Sequence, residues 1–526
     1  MSISKDPGVL HIANSPPPES PEFGTLNVSS KARDEALDFL EKYRDESSAA
    51  LGFDKVYMAR LRRKIDWRFL PFGFIAITFN IIDKVLLNYG NVMGLSTELH
   101  LKGNDFSNAS SAFYIANCVF AVFNSKFPNR LISQSALLLQ RLPTAKWLAT
   151  SLGIWAIATS CTAAVQNYHG LLATRIVSGA IESTVPPALM LLTAQWYTKS
   201  EQASRYNLWF LGTGFGQTLG GLFSWAFQHV SPHAPLSGWR IMFLTLGIAT
   251  FVFAVVTFLF LPDTPMQARF LSNEEKVALL EHVKQNQTGV EGKKFIPGQL
   301  LEAVLDIQIW IFFFTFLFGG VGGGVITTYS STILKNLGYT PKRSALLLMA
   351  TGPMTIVGAL FVGYGVRYFG NRWAFIGVIL VFSVLGSALL AFPRGNIAAC
   401  GFAGILFADL LVSQTATIYQ WLSANTAGHT KRAYSAAMLQ VAFAIGSIIG
   451  PQTFQAKDAP NYQPAKIALM CFLAAEVVGI SFLRIYYEVC NKNRDKLAKA
   501  AGEDVADTTA YAGMTDKQNI TFRYVY

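Results

Sequence analysis

The sequence predicts an all-α polytopic membrane protein, with twelve transmembrane helices arranged as two six-helix halves. Three observations predict it. Hydrophobic residues make up 52% of the 526-residue chain and charged residues only 14%, against about 25% charged in an average soluble domain. Apolar runs of about 20 residues, the length that crosses a bilayer as a helix, recur from residue 70 to residue 487. A polar stretch at 262–306 divides those runs into two sets of six. Backbone hydrogen bonding in lipid leaves helices as the structure for runs of this length.

Residues 1–68 read as an N-terminal tail. Its first part is disordered through the proline-rich Ser15-Pro16-Pro17-Pro18-Glu19-Ser20-Pro21, and residues 32–68 form a charged, helix-compatible segment. The cluster Arg60, Arg62, Arg63 and Lys64 abuts the first apolar run and should stay cytosolic. The first half, 69–261, holds spans at 70–90, 112–138, 147–165, 171–196, 207–227 and 242–261. Span two is irregular, because Asn124-Ser125-Lys126-Phe127-Pro128-Asn129-Arg130 interrupts it. A central loop, 262–306, leads to the second half, 307–488, with spans at 307–334, 344–366, 374–392, 398–419, 435–454 and 467–487. A tail, 489–526, follows.

Basic residues orient the chain. The loops that share a side with the two tails carry Arg141, Lys146, Lys199, Arg205, Arg269, Lys276, Arg367, Arg372, Lys431 and Arg432, among others. The opposite loops carry Lys102, Lys335, Lys342, Arg343, Arg394 and Lys457. The bias predicts both tails in the cytosol.

The net charge of +11 does not point to nucleic acid, because the basic residues lie in tails and short gaps rather than one patch. Neither a P-loop nor a dinucleotide-binding glycine pattern occurs. The glycine clusters at 212–221 and 319–324 sit inside apolar runs and read as helix-packing positions. Five cysteines form no CxxC pair, which leaves no disulfide framework or metal site to argue for. No enzyme activity, cofactor or metal is expected.

Ionisable residues inside a membrane are costly and default to functional roles. Span one carries Asn80, Asp83, Lys84, Asn88 and Asn91 along one helical stripe. Span four carries Arg175, Gly179, Glu182 and Pro186 in another, and span ten Asp409, Ser413, Thr417 and Gln420 in a third. Three stripes on separate helices imply a shared polar cavity. Asp83 and Lys84 diverge by about 100° on their helix, and Arg175 and Glu182 lie about 10 Å apart. Each charge therefore seeks a partner on another helix or a ligand. A transport-pathway role and a structural lock between helices both remain open for these four. Cationic side chains in a low-dielectric cavity suit an anionic substrate, and a membrane carboxylate suits proton coupling.

These residues resemble the major facilitator superfamily and, more narrowly, its fungal anion:cation symporters of the allantoate permease type. The matching motifs are Asp83-Lys84, Gln140-Arg141-Leu142-Pro143-Thr144-Ala145-Lys146, and Arg175 with Gly179 and Glu182. Leu261-Pro262-Asp263-Thr264-Pro265, Asn425-Thr426-Ala427-Gly428-His429-Thr430-Lys431-Arg432, Asp516-Lys517-Gln518-Asn519 and Phe522-Arg523-Tyr524 also match. The resemblance covers residues 65–526. Residues 121–137 depart from it, longer than the family's second span, as an insertion or a splice-junction error would be. The family's Gly-x-x-x-Asp-Arg loop box is degenerate: Arg141 and Lys146 remain in the first half, and Gly363, Arg367, Gly370 and Arg372 in the second. Gln217 stands where the family's antiporters carry proline, which favours symport over export.

The resemblance implies the major facilitator fold and a monomeric transporter in the plasma membrane, taking up a small organic anion (a ureide, a vitamin or an amino-acid-like carboxylate) with protons. It implies Lys84, Arg175, Gln217, Tyr329 and Gln420 at the substrate, and Asp83, Glu182 and Asp409 at the proton. Arg141, Lys146, Arg367 and Arg372 fall in gating loops. The alternatives are an exporter of a fungal metabolite on the same fold and a nutrient sensor that does not transport.

Overall fold

The computed structural model describes residues 55–124, 143–231, 233–284, 297–501, 515–518 and 522–526. Among these residues the chain is helical, with no strand. The helices of the first half are α1 (Lys55–Val92), α2 (Asp105–Asn124), α3 (Thr144–Thr162), α4 (Tyr168–Glu182, continued by Val185–Trp196), α5 (Lys199–Phe227) and α6 (Gly238–Phe260). Those of the second are α7 (Ile307–Asn336), α8 (Pro341–Leu348, continued by Thr351–Phe369), α9 (Arg372–Ala391), α10 (Ile397–Asp409 and Thr415–Asn425), α11 (His429–Gln452) and α12 (Gln463–Ala501). Nine of the described helices are long and apolar enough by themselves to cross a membrane. The other three, α2, α3 and α5, carry Ser, Thr, Asn and Gly within their apolar runs.

The six-plus-six pattern recurs in the packing. In the first half α1 packs on α5, α2 on α4 and α3 on α6. Six helices later, α7 packs on α11, α8 on α10 and α9 on α12. The halves meet where α2 faces α11, α5 faces α8 and α1 faces α7. The bundle has a tail end, where α1 begins and α12 finishes, and a far end opposite.

Glycines set several of these approaches. A Cβ on Gly446 of α11 would stand 2.2 Å from the Leu317 carbonyl oxygen of α7, and one on Gly450 would stand 2.5 Å from that of Val321. Backbones this close require residues without side chains.

Several helices differ from the apolar runs that announce them. α1 has 38 residues, roughly 57 Å, and begins well before residue 70. Its polar lead-in is held by Arg62–Glu201 at 2.7 Å, Arg205–Asp66 at 2.8 Å and Lys64–Glu275 at 2.7 Å. α2 begins at Asp105 and has 20 residues, about 30 Å, already enough for one crossing. The interruption expected in span two begins where α2 ends, and residues 125–142 lie outside the described residues. α4 breaks at Ser183-Thr184, just before Pro186 and Pro187. In α10 a 3₁₀ turn, Leu410–Gln414, separates the two helical pieces, and mid-helix 3₁₀ often marks a hinge.

Candidate transport pathway

α1 and α4 bring four charges together. Asp83 and Lys84 point apart on α1, and each finds a partner on α4. Arg175 Nη2 stands 3.4 Å from Asp83 Oδ2, and Lys84 Nζ stands 2.8 Å from Glu182 Oε1. Thr159 Oγ1 of α3 donates to Asp83 Oδ1 at 3.0 Å, and Lys84 Nζ donates to Asn80 Oδ1 at 3.0 Å. The Arg175 guanidinium also lies over the Phe113 ring, 5.5 Å from its centroid. Asp83, Arg175 and Glu182 are buried, whereas the Lys84 side chain keeps 23% of its surface open. Gly179 makes this approach possible, since a Cβ there would fall 2.1 Å from the backbone oxygen of Phe113 on α2.

A second cluster joins the halves. Gln217 of α5 donates through Nε2 to both carboxyl oxygens of Asp409 on α10, at 3.2 and 3.0 Å. Thr355 of α8 places its hydroxyl 2.9 Å from Gln217 Oε1 and 3.0 Å from Asp409 Oδ2. All three are buried. Among the described residues Asp409 has no cationic partner. A cavity beside the cluster is lined by Asn88, Tyr89, Gln217, Thr327, Ser330 and Asp409, with Val85 and Thr351 nearby.

Toward the far end the halves are zipped by hydrogen bonds. Asn88 Nδ2 donates to Ser330 Oγ at 2.7 Å and Asn88 Oδ1 accepts from the Ser331 N–H. Asn91 donates to Thr332, Ser110 pairs with Thr328, and Asn104 donates to Gln455. The Tyr329 hydroxyl pairs with Ser107, and its ring stacks on Phe454 at 4.3 Å. Toward the tail end, Gln420 Nε2 of α10 donates to Asn207 Oδ1 of α5 at 3.1 Å.

The structure thus gathers Asp83, Lys84, Arg175 and Glu182 in one group, and Gln217 and Asp409 in another. Tyr329 belongs to the far-end seal, and Gln420 lies eleven residues beyond Asp409, roughly 16 Å along α10. Lys146 stands exposed at the start of α3, where the N–H groups of Ala145 and Lys146 donate to Asp263 at 2.8 and 3.1 Å. Arg367 is exposed at the end of α8, and the Arg372 N–H donates to the Tyr526 carbonyl at 2.7 Å. Arg141 lies outside the described residues.

Some polar groups went unmarked in the sequence. Thr159 and Thr355 look like ordinary small residues of apolar runs, and only the tertiary fold aims them at carboxylates. Glu476 of α12 is buried and accepts from Gln414 Nε2 at 2.8 Å; an acid within the run 467–487 is the signal that marks it.

Lys431, in the motif following α10, is buried among Glu302, Asp306 and Asp516, at 2.8, 2.6 and 2.7 Å. Asn425 of the same motif holds both the N–H and the carbonyl of Val525. Burial opposes the charge of Asp306, yet Lys431 and Gln308 hold its carboxyl below the ordinary carboxylate range.

Comparison with known proteins agrees with this architecture. Residues 73–451 match the sequence profile of the Major Facilitator Superfamily. A thiamine pathway transporter of Saccharomyces cerevisiae is 32% identical, with 97% of each chain covered. The allantoate permease of the same yeast is 30% identical over 88% of this chain and 86% of its own. Among solved structures, a D-xylose-proton symporter superposes with a TM-score of 0.61 at 13% identity, covering 79% of this chain and 97% of its own. A bacterial homologue of the lysosomal transporter Spinster, inward-facing and unoccupied, gives 0.57 at 13% identity, over 82% and 96%. These two share the fold. With twelve helices in two matching halves and relatives at this identity over nearly their full length, the chain is a membrane transporter that belongs to the major facilitator superfamily, among its fungal members of the allantoate-permease type.

Proposed function

We propose that the protein imports a small organic anion together with protons, by alternating access about the interface between its halves. The observation that carries this reading is the cluster of Asp409, Thr355 and Gln217. Thr355 has one hydroxyl proton but two acceptors in reach, Gln217 Oε1 and Asp409 Oδ2. A proton on Asp409 satisfies both: its O–H donates to Thr355, whose own O–H donates to Gln217. A fully buried carboxylate without a cation would otherwise bear the whole desolvation cost of its charge. Because Gln217 belongs to one half and Asp409 to the other, opening the far end separates them and exposes the carboxyl to proton exchange.

Lys84 supplies the cation for the substrate. It is the most open of the four charges, and an incoming carboxylate competes with Glu182 for its ammonium. Arg175 is closed on Asp83 and joins the substrate when Asp83 takes a proton. The substrate class is a ureide, vitamin or amino-acid-like carboxylate, in keeping with the allantoate permease and the thiamine pathway transporter among its relatives. Both tails lie in the cytosol and the resident membrane is the plasma membrane, as the basic loops and the family type favour. Lys146, Arg367 and Arg372 border the tail-end opening, and Arg141 joins this gating group by its sequence motif. Both halves come from one chain, so a monomer suffices.

The test is Asp409→Asn in proteoliposomes. The variant should exchange labelled substrate across the membrane but fail to concentrate it under an inward proton gradient. Gradient-driven accumulation at the wild-type level would overturn the reading.

A further inference from the structure

We propose that Glu476 is a second proton-binding site of the transporter, holding its proton in a cyclic acid–amide pair with Gln414. Glu476 lies midway along α12, buried where that helix packs on α7 and α9. Its Oε1 accepts from Gln414 Nε2 at 2.8 Å. Of the buried side-chain atoms without a hydrogen-bond partner among the described residues, two belong to this same pair: Glu476 Oε2 and Gln414 Oε1. Both are acceptors, so neither can satisfy the other. A proton on Glu476 turns Oε2 into a donor, and an acid and an amide are complementary in both directions, so the pair closes with one hydrogen bond each way.

The surroundings favour the neutral acid. A Cβ on Gly319 of α7 would stand 2.6 Å from Glu476 Oε1 and 2.9 Å from Oε2, so the α7 backbone lies directly against both oxygens and leaves no room for water on that side. The charged residues of the packed elements face elsewhere. Lys335 sits in the last turn of α7, sixteen residues from Gly319, roughly 24 Å along the helix. Arg372 begins α9. Asp409 is engaged with Gln217 and Thr355. On α12 itself, Lys466 and Arg484 lie ten and eight residues from Glu476, roughly 15 and 12 Å along the helix. Among the described residues an ionised Glu476 would have no counter-charge in a low-dielectric interior.

The placement gives the site a consequence. Gln414 ends the 3₁₀ turn of α10 and Asp409 immediately precedes it. The hinge is therefore pinned at both ends by a buried carboxyl, one facing the interface between the halves and one facing α12. Loss of the Glu476 proton removes the hydrogen bond that Oε2 donates, leaves Gln414 Oε1 unsatisfied and so loosens the second pin. The site itself stands independently of the transport reading; only its contribution to proton coupling rests on that reading.

Infrared difference spectroscopy of the purified protein in lipid, without substrate, tests the site directly. At neutral pH the wild type should show the C=O stretch of a protonated carboxylic acid that Glu476→Gln removes and Asp409→Asn leaves in place. Gln414→Leu, which takes away the amide partner, should shift that band rather than abolish it. Loss of ionised-carboxylate absorption in Glu476→Gln, or no change in the protonated region, overturns the proposal. Glu476→Gln retains amide hydrogen bonding and near-identical volume, so it should fold; if it does not, the Gln414→Leu shift decides, and its absence overturns the site. For coupling, the proton-to-substrate ratio should fall by one in Glu476→Gln. An unchanged ratio overturns the coupling role, and a failure of all proton-driven uptake in the wild type would instead sink the transport reading.

Discussion

Replacing Lys84 by alanine separates a binding role from a structural one. The ammonium lies 2.8 Å from Glu182 Oε1, and the Glu182 side chain is only 3% exposed. Deleting the cation leaves a buried carboxylate uncompensated, which costs about 3–5 kcal/mol of stability. A second substitution, Glu182→Gln, removes that orphaned charge, so the double variant Lys84→Ala/Glu182→Gln should recover most of the loss. Transport should not follow. Losing the charge-assisted contact to a substrate carboxylate costs about 2–5 kcal/mol, roughly 30-fold to several thousand-fold in affinity. The assay pairs thermal unfolding in detergent with uptake of labelled substrate at matched surface levels. Recovered stability with uptake still absent supports the binding role. Recovered stability with wild-type uptake would refute it and leave the four charges as a lock between α1 and α4.

Gly179→Ala forces a methyl group against the Phe113 backbone oxygen, which cannot yield as a side chain could; thermal unfolding should show a loss at or above the usual 1–3 kcal/mol of overpacking. Lys431→Ala removes the cation shared by Glu302, Asp306 and Asp516, leaving Asp306 with the more exposed Lys517 at 3.2 Å, and should destabilise the second half by about 3–5 kcal/mol, with the C-terminal tail becoming sensitive to protease. The same contacts set a pH dependence. Asp306 titrates below its ordinary range, so its contribution is present above the ordinary carboxylate pKa and is lost as pH falls through the depressed value. Acid should therefore lower thermal stability in the wild type, and less so in Asp306→Asn. Tyr329→Phe removes one far-end hydrogen bond, about 1 kcal/mol, and should raise labelling of a cysteine placed at Ser110 by an impermeant reagent from the far side.

The crossings were readable because bilayer thickness and the cost of unpaired backbone in lipid demand long apolar runs, whatever their neighbours. Polar stripes were readable for a related reason: a charge such as Asp83 or Asp409 inside such a run has no generic explanation. Partner choice was not readable. Neighbours on α1, Asp83 and Lys84 divide between Arg175 and Glu182, and nothing local to either helix assigns the pairs. Gln420 sat in a plausible stripe and Tyr329 in an apolar run, yet a helix crosses the whole bilayer, and its rotation and depth decide whether a polar group faces the centre or one end. The motif at 425–432 and the tail are distant in sequence, yet Lys431 meets Asp516 and Asn425 meets Val525, which ties the tail to the second half. Where α1 begins was hidden because its polar lead-in is stabilised by ion pairs to α5 and to the segment after α6 rather than by hydropathy.

Uptake of a panel of labelled carboxylates, including allantoate, nicotinate, biotin and pantothenate, tests the central claim most directly. The host is yeast lacking its own permeases of this type, assayed at pH 5 and pH 7.5 with and without a protonophore. The account predicts accumulation of one compound, stronger at pH 5 and abolished by the protonophore. Accumulation unaffected by pH and protonophore, or no uptake of any compound by protein confirmed at the cell surface, would contradict it.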